Sequence, residues 1–205
     1  MKPKEGLLVV LSSPSGGGKT TLCNRLMAAD ANVVRSISCT TRPARGAEVE
    51  GHDYYFLTRD DFEKRVARGE FLEHAQVHGH YYGTLRKTVE ELLAAGRDAL
   101  LNIDVQGAAI VCQLAKADPR LRHALVSVFL MPPSLQLLEQ RLRRRGTDDE
   151  ATIARRLAEA TREMAHWREY DYVIVTGPIE EDYRQMQAIV DAERCRSQRL
   201  SFETE

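Results

Sequence analysis

The apolar run LLVVL at residues 7–11 is followed at once by SSPSGGGKTT, residues 12–21, which opens a helical pattern over residues 19–29. Few folds accept that order. Glycines at 16, 17 and 18 permit backbone turns closed to other residues, so that successive N–H groups can point at phosphate oxygens. The helix that follows adds the positive end of its dipole. Lys19 brings a mobile cation to the β and γ phosphates of a nucleoside triphosphate, and the Thr20 hydroxyl is a ligand for Mg²⁺. The general pattern G-x-x-x-x-G-K-[ST] has glycine where this chain has Ser13, which fits only if its backbone torsions are ordinary. A glycine-rich turn that merely joined strand to helix would not need Lys and Thr at these two positions. Ser13, Pro14, Ser15, Gly16, Gly17, Gly18, Lys19, Thr20 and Thr21 are therefore the expected triphosphate cradle.

The remaining chain continues the strand–helix rhythm. Further strands are expected at residues 99–103, 125–130 and 172–175, all of them, like 7–11, buried on both faces, as parallel strands under helices are. Helices are expected at 60–68, 88–95, 106–115, 135–145, 149–166 and 181–194. Residues 36–84 break the rhythm with polar and aromatic stretches such as HDYYFL and HGHYYGT around the single helix at 60–68. The expected fold is thus α/β: a phosphate-loop core with a parallel sheet flanked by helices, an inserted mixed α+β subdomain, and a helical lid. In residue numbers, the core takes 5–35, 85–135 and 168–195, the insertion 36–84 and the lid 136–167, within one domain over 1–205. The last ten or so residues read as a fraying helix and tail.

Composition narrows the partners. With 29 Lys+Arg against 30 Asp+Glu, the formal net charge is -1, so no broad positive field is available for a nucleic-acid backbone or an anionic membrane. No apolar run approaches the roughly 18 residues of a membrane span. The four cysteines are widely and irregularly spaced, unlike a disulfide scaffold or zinc cage, and a reducing cytoplasm is the expected compartment. His74, His78 and His80 lie on a β-rich stretch with Gly79 between them, and read better as pocket-lining or solvated than as a zinc site. Trp167, Met164 and the Leu/Ala pattern at 153–164 read as core.

SISCTTRPARGAEVEGHDYYF (36–56), FLEHA (71–75), HYYGT (80–84) and LNIDVQG (101–107) together resemble the guanylate kinase family, in motif order over roughly residues 5–195. The resemblance implies Mg²⁺-dependent, reversible transfer of the ATP γ-phosphoryl group to GMP or dGMP, giving ADP and GDP. The insertion becomes the GMP-binding subdomain. The resemblance also implies that Ser38, Arg42, Arg45, Tyr54 and Tyr82 hold the GMP phosphate. Arginine suits this chemistry because its planar fork can grip two phosphate oxygens and orient the attacking one. Guanine donates from N1–H and its 2-amino group in the same direction, so one carboxylate can accept both. Glu73 is the candidate, and adenine would leave it unpaired. Thr84 and Asn102 complete the purine edge by resemblance, Asn102 standing where the family usually has Asp. Asp104, just after a buried strand, is expected near GMP and as an acid that positions hydrated Mg²⁺ with Thr20. Its other reading is an N-cap for the helix from 106, and both roles can coexist.

RLRRRGTDDEATIARRL, residues 141–157, gathers six arginines. Phosphoryl transfer is helped chiefly by cations on the transferring oxygens and by exclusion of water, which a hinged arginine-bearing lid supplies, with Gly146 as a flexible point. By resemblance the working positions are Arg141 and Arg145 on the ATP side and Arg156 toward GMP, while Arg143, Arg144 and Arg155 stay solvated. Lys19, Arg42, Arg45, Arg145 and Arg156 are the expected catalytic charges. Thr176 replaces a family Asn beside the ATP base, and His80 replaces another Asn. Two alternatives stay open: a non-catalytic protein-binding module of the same fold, and a kinase for another phosphorylated acceptor. A homo-oligomer is also left open.

Overall fold

The computed structural model describes residues 2–3, 5–144 and 149–201. In chain order the elements are β1 (Lys2–Pro3), β2 (Leu8–Ser12), α1 (Lys19–Ala29), β3 (Val33–Arg35), β4 (Cys39–Thr40), β5 (Tyr55–Phe56), α2 (Arg59–Ala67), β6 (Phe71–Val77), β7 (His80–Leu85), α3 (Arg86–Ala94), β8 (Asp98–Asn102), α4 (Val105–Ala117), α5 (Pro119–Ala124), β9 (Leu125–Met131), α6 (Leu135–Arg144), α7 (Glu150–Met164), β10 (Tyr172–Val175), α8 (Ile179–Arg194) and β11 (Leu200–Ser201).

Among the described residues, β10-β9-β2-β8-β3 form a five-stranded, wholly parallel sheet. Alternation along β2 explains its unbroken apolar run. Val9 and Leu11 face α1 and α8 through Leu22, Leu26, Met186 and Val190. Leu8 and Val10 face the opposite layer, where Val89, Val111 and Leu121 come from α3, α4 and α5. Both faces are dry, so every residue of β2 is buried. A fully buried Leu or Val contributes about 1.5–3 kcal/mol relative to exposure.

The insertion folds around a second, mixed sheet ordered β5-β4-β7-β6. Its small core stacks Phe62 of α2 on Phe71 of β6, with ring centroids 4.5 Å apart. A two-residue turn, His78-Gly79, joins β6 to β7, and both residues have positive φ (49° and 83°), as a tight hairpin requires. The lid helices α6 and α7 bury Leu138, Leu142 and Ala160 against each other, a third core of their own.

Three expectations are corrected. The strand β10 is not buried on both faces: it lies at the sheet edge and Val175 is 57% exposed. The chain after α8 does not fray over its described part. β11 pairs antiparallel with β1, and the buried Arg199 donates to buried Glu193 (2.7 Å). Finally, the second lid helix ends at Met164 and tightens into a 3-10 turn over Ala165–Glu169, where Trp167 is half-buried and carries the Arg168 guanidinium 4.3 Å over its ring.

Candidate active site

The phosphate loop leaves β2 and enters α1 through Gly16 (φ 89°) and Gly18 (φ 99°), the latter capping α1. Ser13 is not among the residues with positive φ, so its side chain is accommodated without strain. It is used as well as tolerated. Lys19 Nζ donates to the Ser13 carbonyl oxygen (2.8 Å) and to Ser13 Oγ (3.0 Å), while Ser13 Oγ itself donates to the Pro14 carbonyl (2.9 Å). Gly17 lies so close that a Cβ there would meet Ser13 Oγ at 2.5 Å. Thr20 and Thr21 open α1 on its exposed side. Asn102, at the end of β8, donates from Nδ2 to Thr20 Oγ1 (3.3 Å), which sets it beside the hydroxyl expected to hold metal. Asp104 caps α4 by accepting from the Gly107 N–H (3.0 Å) and also lines the neighbouring cleft.

The inserted sheet gathers the second set of side chains. Arg42 follows β4 and is 5% exposed. Its guanidinium lies 5.4 Å from the Tyr54 ring and its Nε donates to the Tyr82 hydroxyl (3.2 Å). The Tyr54 and Tyr82 rings meet edge to face at 6.0 Å, and burial pushes the Tyr54 hydroxyl pKa up. Ser38 directly precedes β4, and its carbonyl accepts from the Tyr55 N–H. Arg45 is exposed and lines the cleft.

Glu73 on β6 and Thr84 on β7 are cross-strand neighbours, both buried. Thr84 Oγ1 donates to Glu73 Oε1 at 2.6 Å. Burial pushes the Glu73 carboxyl pKa up to about 7, the Thr84 hydrogen bond opposes that rise, and the negative charge of Asp104 adds to it. A carboxylate placed there, with Thr84 beside it, is prepared to accept from a ligand that brings further donors. Gly107 makes room for it, since a Cβ at that position would lie 2.7 Å from Glu73 Oε2.

A cleft of about 940 Å³ joins these parts: Ser13, Ser15 and Lys19 from the phosphate loop, Asp104 from the loop after β8, and Arg45 and Tyr82 from the insertion. The lid closes it with Arg155, Arg156 and Glu163 of α7. His78 and His80 line the same cleft, and His78 approaches Glu159 of α7 at 3.8 Å. On the far side of the loop, a cavity of about 440 Å³ is bounded by Gly16, Gly18, Thr21, Arg141, Arg144 and Thr176. There Arg141 donates to Thr176 Oγ1 (3.3 Å). Arg143 is exposed and pairs with Glu139 and Glu150. Arg145 and Gly146 lie outside the described residues.

Sequence reasoning passed over three residues that this geometry brings in. Glu48 pairs with Arg42 through both carboxylate oxygens (2.9 Å each); it sits within the quoted 36–56 stretch, but nothing in its spacing marks it. Gly107 sits in the quoted LNIDVQG, where only the packing shows why a side chain is excluded. Glu163 is a carboxylate on the cleft wall whose Oε2 is buried without a hydrogen-bond partner among the described residues, and burial raises its pKa against the opposing charge of Lys19. In sequence it is one more charge on an amphipathic helix.

Comparison with known proteins identifies the family. The guanylate kinase family model matches residues 5–193. The guanylate kinase of Methylococcus capsulatus is 51% identical over 195 residues, 95% of this chain and 92% of that protein. That of Sphingopyxis alaskensis is 47% identical, over 96% of this chain and 86% of its own. Among solved structures, guanylate kinase from Anaplasma phagocytophilum superposes with a TM-score of 0.80 at 39% identity, covering 97% of this chain and 92% of that one. Matched in this way along nearly its whole length, by sequence and by structure, the chain belongs to the guanylate kinase family of nucleoside monophosphate kinases.

Proposed function

We propose that the protein transfers the γ-phosphoryl group of ATP to GMP or dGMP, giving ADP and GDP or dGDP, and that the reaction reverses through the same cleft. The observation that carries this is the pairing of buried Glu73 with Thr84 on the insertion, on the same sheet as the Arg42–Tyr82 cluster. A buried carboxylate of this kind accepts guanine's N1–H and 2-amino group together, and adenine offers it neither. Thr84 completes the purine edge, while Asn102, which the resemblance assigns to that edge, stands against Thr20 Oγ1 in the structure.

The GMP phosphate is then held by Arg42, Arg45, Tyr54 and Tyr82, with Ser38 at the same end of the insertion. The ATP tail lies on residues 13–21, with its base end in the cavity beside Arg141 and Thr176. Lys19 reaches the β and γ phosphates, Arg141 stays with the ATP tail, and Arg156 of the lid brings charge to the transferring group, a role the sequence also assigns to Arg145, which lies outside the described residues. No protein nucleophile is required. An oxygen of the GMP phosphate dianion forms the new bond to the γ phosphorus, the bond from that phosphorus to the β–γ bridging oxygen breaks, and ADP leaves with the electron pair. Cations around the cleft screen the two tails from each other and stabilise charge on the equatorial oxygens.

Thr20 and Asp104 offer one hydroxyl and one carboxylate oxygen at the mouth of the loop, a hard donor set that suits Mg²⁺ with water and phosphate oxygens completing its shell. When bound, Mg²⁺ neutralises phosphate charge there. Residues 36–84 form the acceptor-binding unit and 136–167 the lid of a single functional domain. The partners are small nucleotides, with no role for nucleic acid or membrane, and no described helix is long and apolar enough to cross a membrane. The reaction belongs in the cytoplasm, where the four free thiols stay reduced.

An ADP-release assay with GMP, dGMP, AMP, UMP and dTMP tests the reading. GMP and dGMP should be turned over with AMP at least about 10³-fold poorer. Equal rates with AMP would contradict it.

A further inference from the structure

Arg42 has five N–H donors in a rigid plane, which can be approached end-on, between Nη1 and Nη2, or side-on, between Nε and Nη2. Here the end-on edge is taken. Nη1 donates to Glu48 Oε2 and Nη2 to Glu48 Oε1, both at 2.9 Å, and Nη1 also reaches the Pro43 carbonyl (2.6 Å). The side-on edge points elsewhere, with Nε on the Tyr82 hydroxyl, and Tyr82 lines the cleft. Glu48 Oε2 accepts in addition from the Arg45 N–H (2.7 Å), and the Glu48 N–H donates to the Arg45 carbonyl (3.1 Å). One carboxylate thus staples both arginines of the loop; Arg45 and Tyr82 are part of the cleft wall, and Arg42 and Glu48 are not.

Two roles fit a carboxylate on a phosphate-binding arginine. It could be a plug that the phosphate must displace, or a brace that aims the guanidinium. A plug would occupy the side of Arg42 that meets Tyr82 of the cleft wall, and Glu48 occupies the opposite edge. We propose that Glu48 is a positioning residue for the acceptor's phosphate: by holding the end-on edge of Arg42 and the backbone of Arg45, it presents the second Nη2 N–H of Arg42, together with the Tyr82 hydroxyl that Arg42 Nε holds, to the monophosphate. The proposal rests on the reading of this cluster as the acceptor-phosphate site. It explains how an arginine already paired within its own chain through Nε and its end-on edge still has an N–H for substrate. The mutual pairing keeps both charges in place, with the Glu48 pKa held below and that of Arg42 held above their ordinary values.

The test compares GMP with guanosine, which has the same base and sugar and no phosphate, in wild type, Glu48→Gln and Glu48→Asp. Glu48→Gln should raise KM for GMP about tenfold, with kcat and KM for ATP within about twofold and guanosine affinity unchanged. Glu48→Asp keeps the charge on a shorter stem and should fall between, at about threefold. If Glu48→Gln does not fold, the aspartate variant alone must show the selective rise. An unchanged or lowered KM for GMP would overturn the proposal, the second by making Glu48 a plug. Equal weakening of guanosine and GMP would overturn it too, by reducing Glu48 to a general support of the insertion. Failure of the underlying reading shows separately, as a wild-type enzyme that does not prefer GMP to AMP.

Discussion

On the proposed function, the two walls of the cleft bind anions in different ways. On the donor wall the work is done by backbone: Gly16 and Gly18 in the left-handed region, the first N–H groups of α1, and one lysine folded onto Ser13. On the acceptor wall it is done by side chains drawn from β4, β6, β7 and the loop at 42–48, each needing its own support. A backbone cradle survives most side-chain changes and recognises any triphosphate. A side-chain cluster discriminates, and it fails piece by piece.

That contrast can be broken first at its strongest point. Lys19→Ala removes the mobile cation while leaving the glycine turns intact, so kcat/KM should fall by about 10²–10³-fold with the melting temperature shifted by no more than a few degrees. Steady-state kinetics beside a thermal melt decide it, and an unchanged rate would mean that the loop is not the donor site.

A smaller but more selective effect is expected at Glu73. Glu73→Gln should lower kcat/KM for GMP by about 10²-fold and relax the preference over AMP, because an amide cannot accept from both guanine donors. The same carboxyl has a pH signature. With its pKa near 7, guanosine affinity should rise about tenfold between pH 6 and pH 8 in the wild type and stay flat in the variant. Guanosine carries no phosphate to titrate in that window. The sign for stability is opposite. Because the folded pKa lies above the ordinary 4.5, the empty protein binds this proton more tightly than the unfolded chain does. The stabilisation is full below about pH 4.5 and is lost as pH rises through 7, a change on the order of 3 kcal/mol. Glu73→Gln should therefore raise the melting temperature more at pH 8 than at pH 5.

How far each wall could be read from sequence follows from the same difference. The donor wall is a local motif, so residues 12–21 disclose strand, turn, cation and helix together, and Ser13 leaves only the question of torsion, which the structure answers. The acceptor wall is spread over residues 39–85. Glu73, Thr84 and Arg42 came from chemistry combined with family resemblance, while Glu48 and Gly107 became visible only when packing put them against Arg42 and Glu73. In the fold, apolar runs located the core strands because both faces of β2 and β9 are covered. A four-residue run such as YVIV carries no sign of whether its strand is central or at an edge, and β10 proved to be an edge. The six-residue α5 is too short for helical periodicity, although Asp118 caps it and Pro119 opens it. The tail looked loose because it is held by β1, at the other end of the chain, and by one buried ion pair to Glu193, neither of which leaves a periodic pattern.

The central claim is that both walls act on one line between two nucleotides. An adenosine–guanosine dinucleotide bridged by five phosphates should span them, binding at least about 100-fold more tightly than ATP or GMP alone, since the second tail is then held at high effective concentration. Calorimetric titration of the wild-type protein measures this directly. Binding no tighter than that of ATP alone would contradict the account.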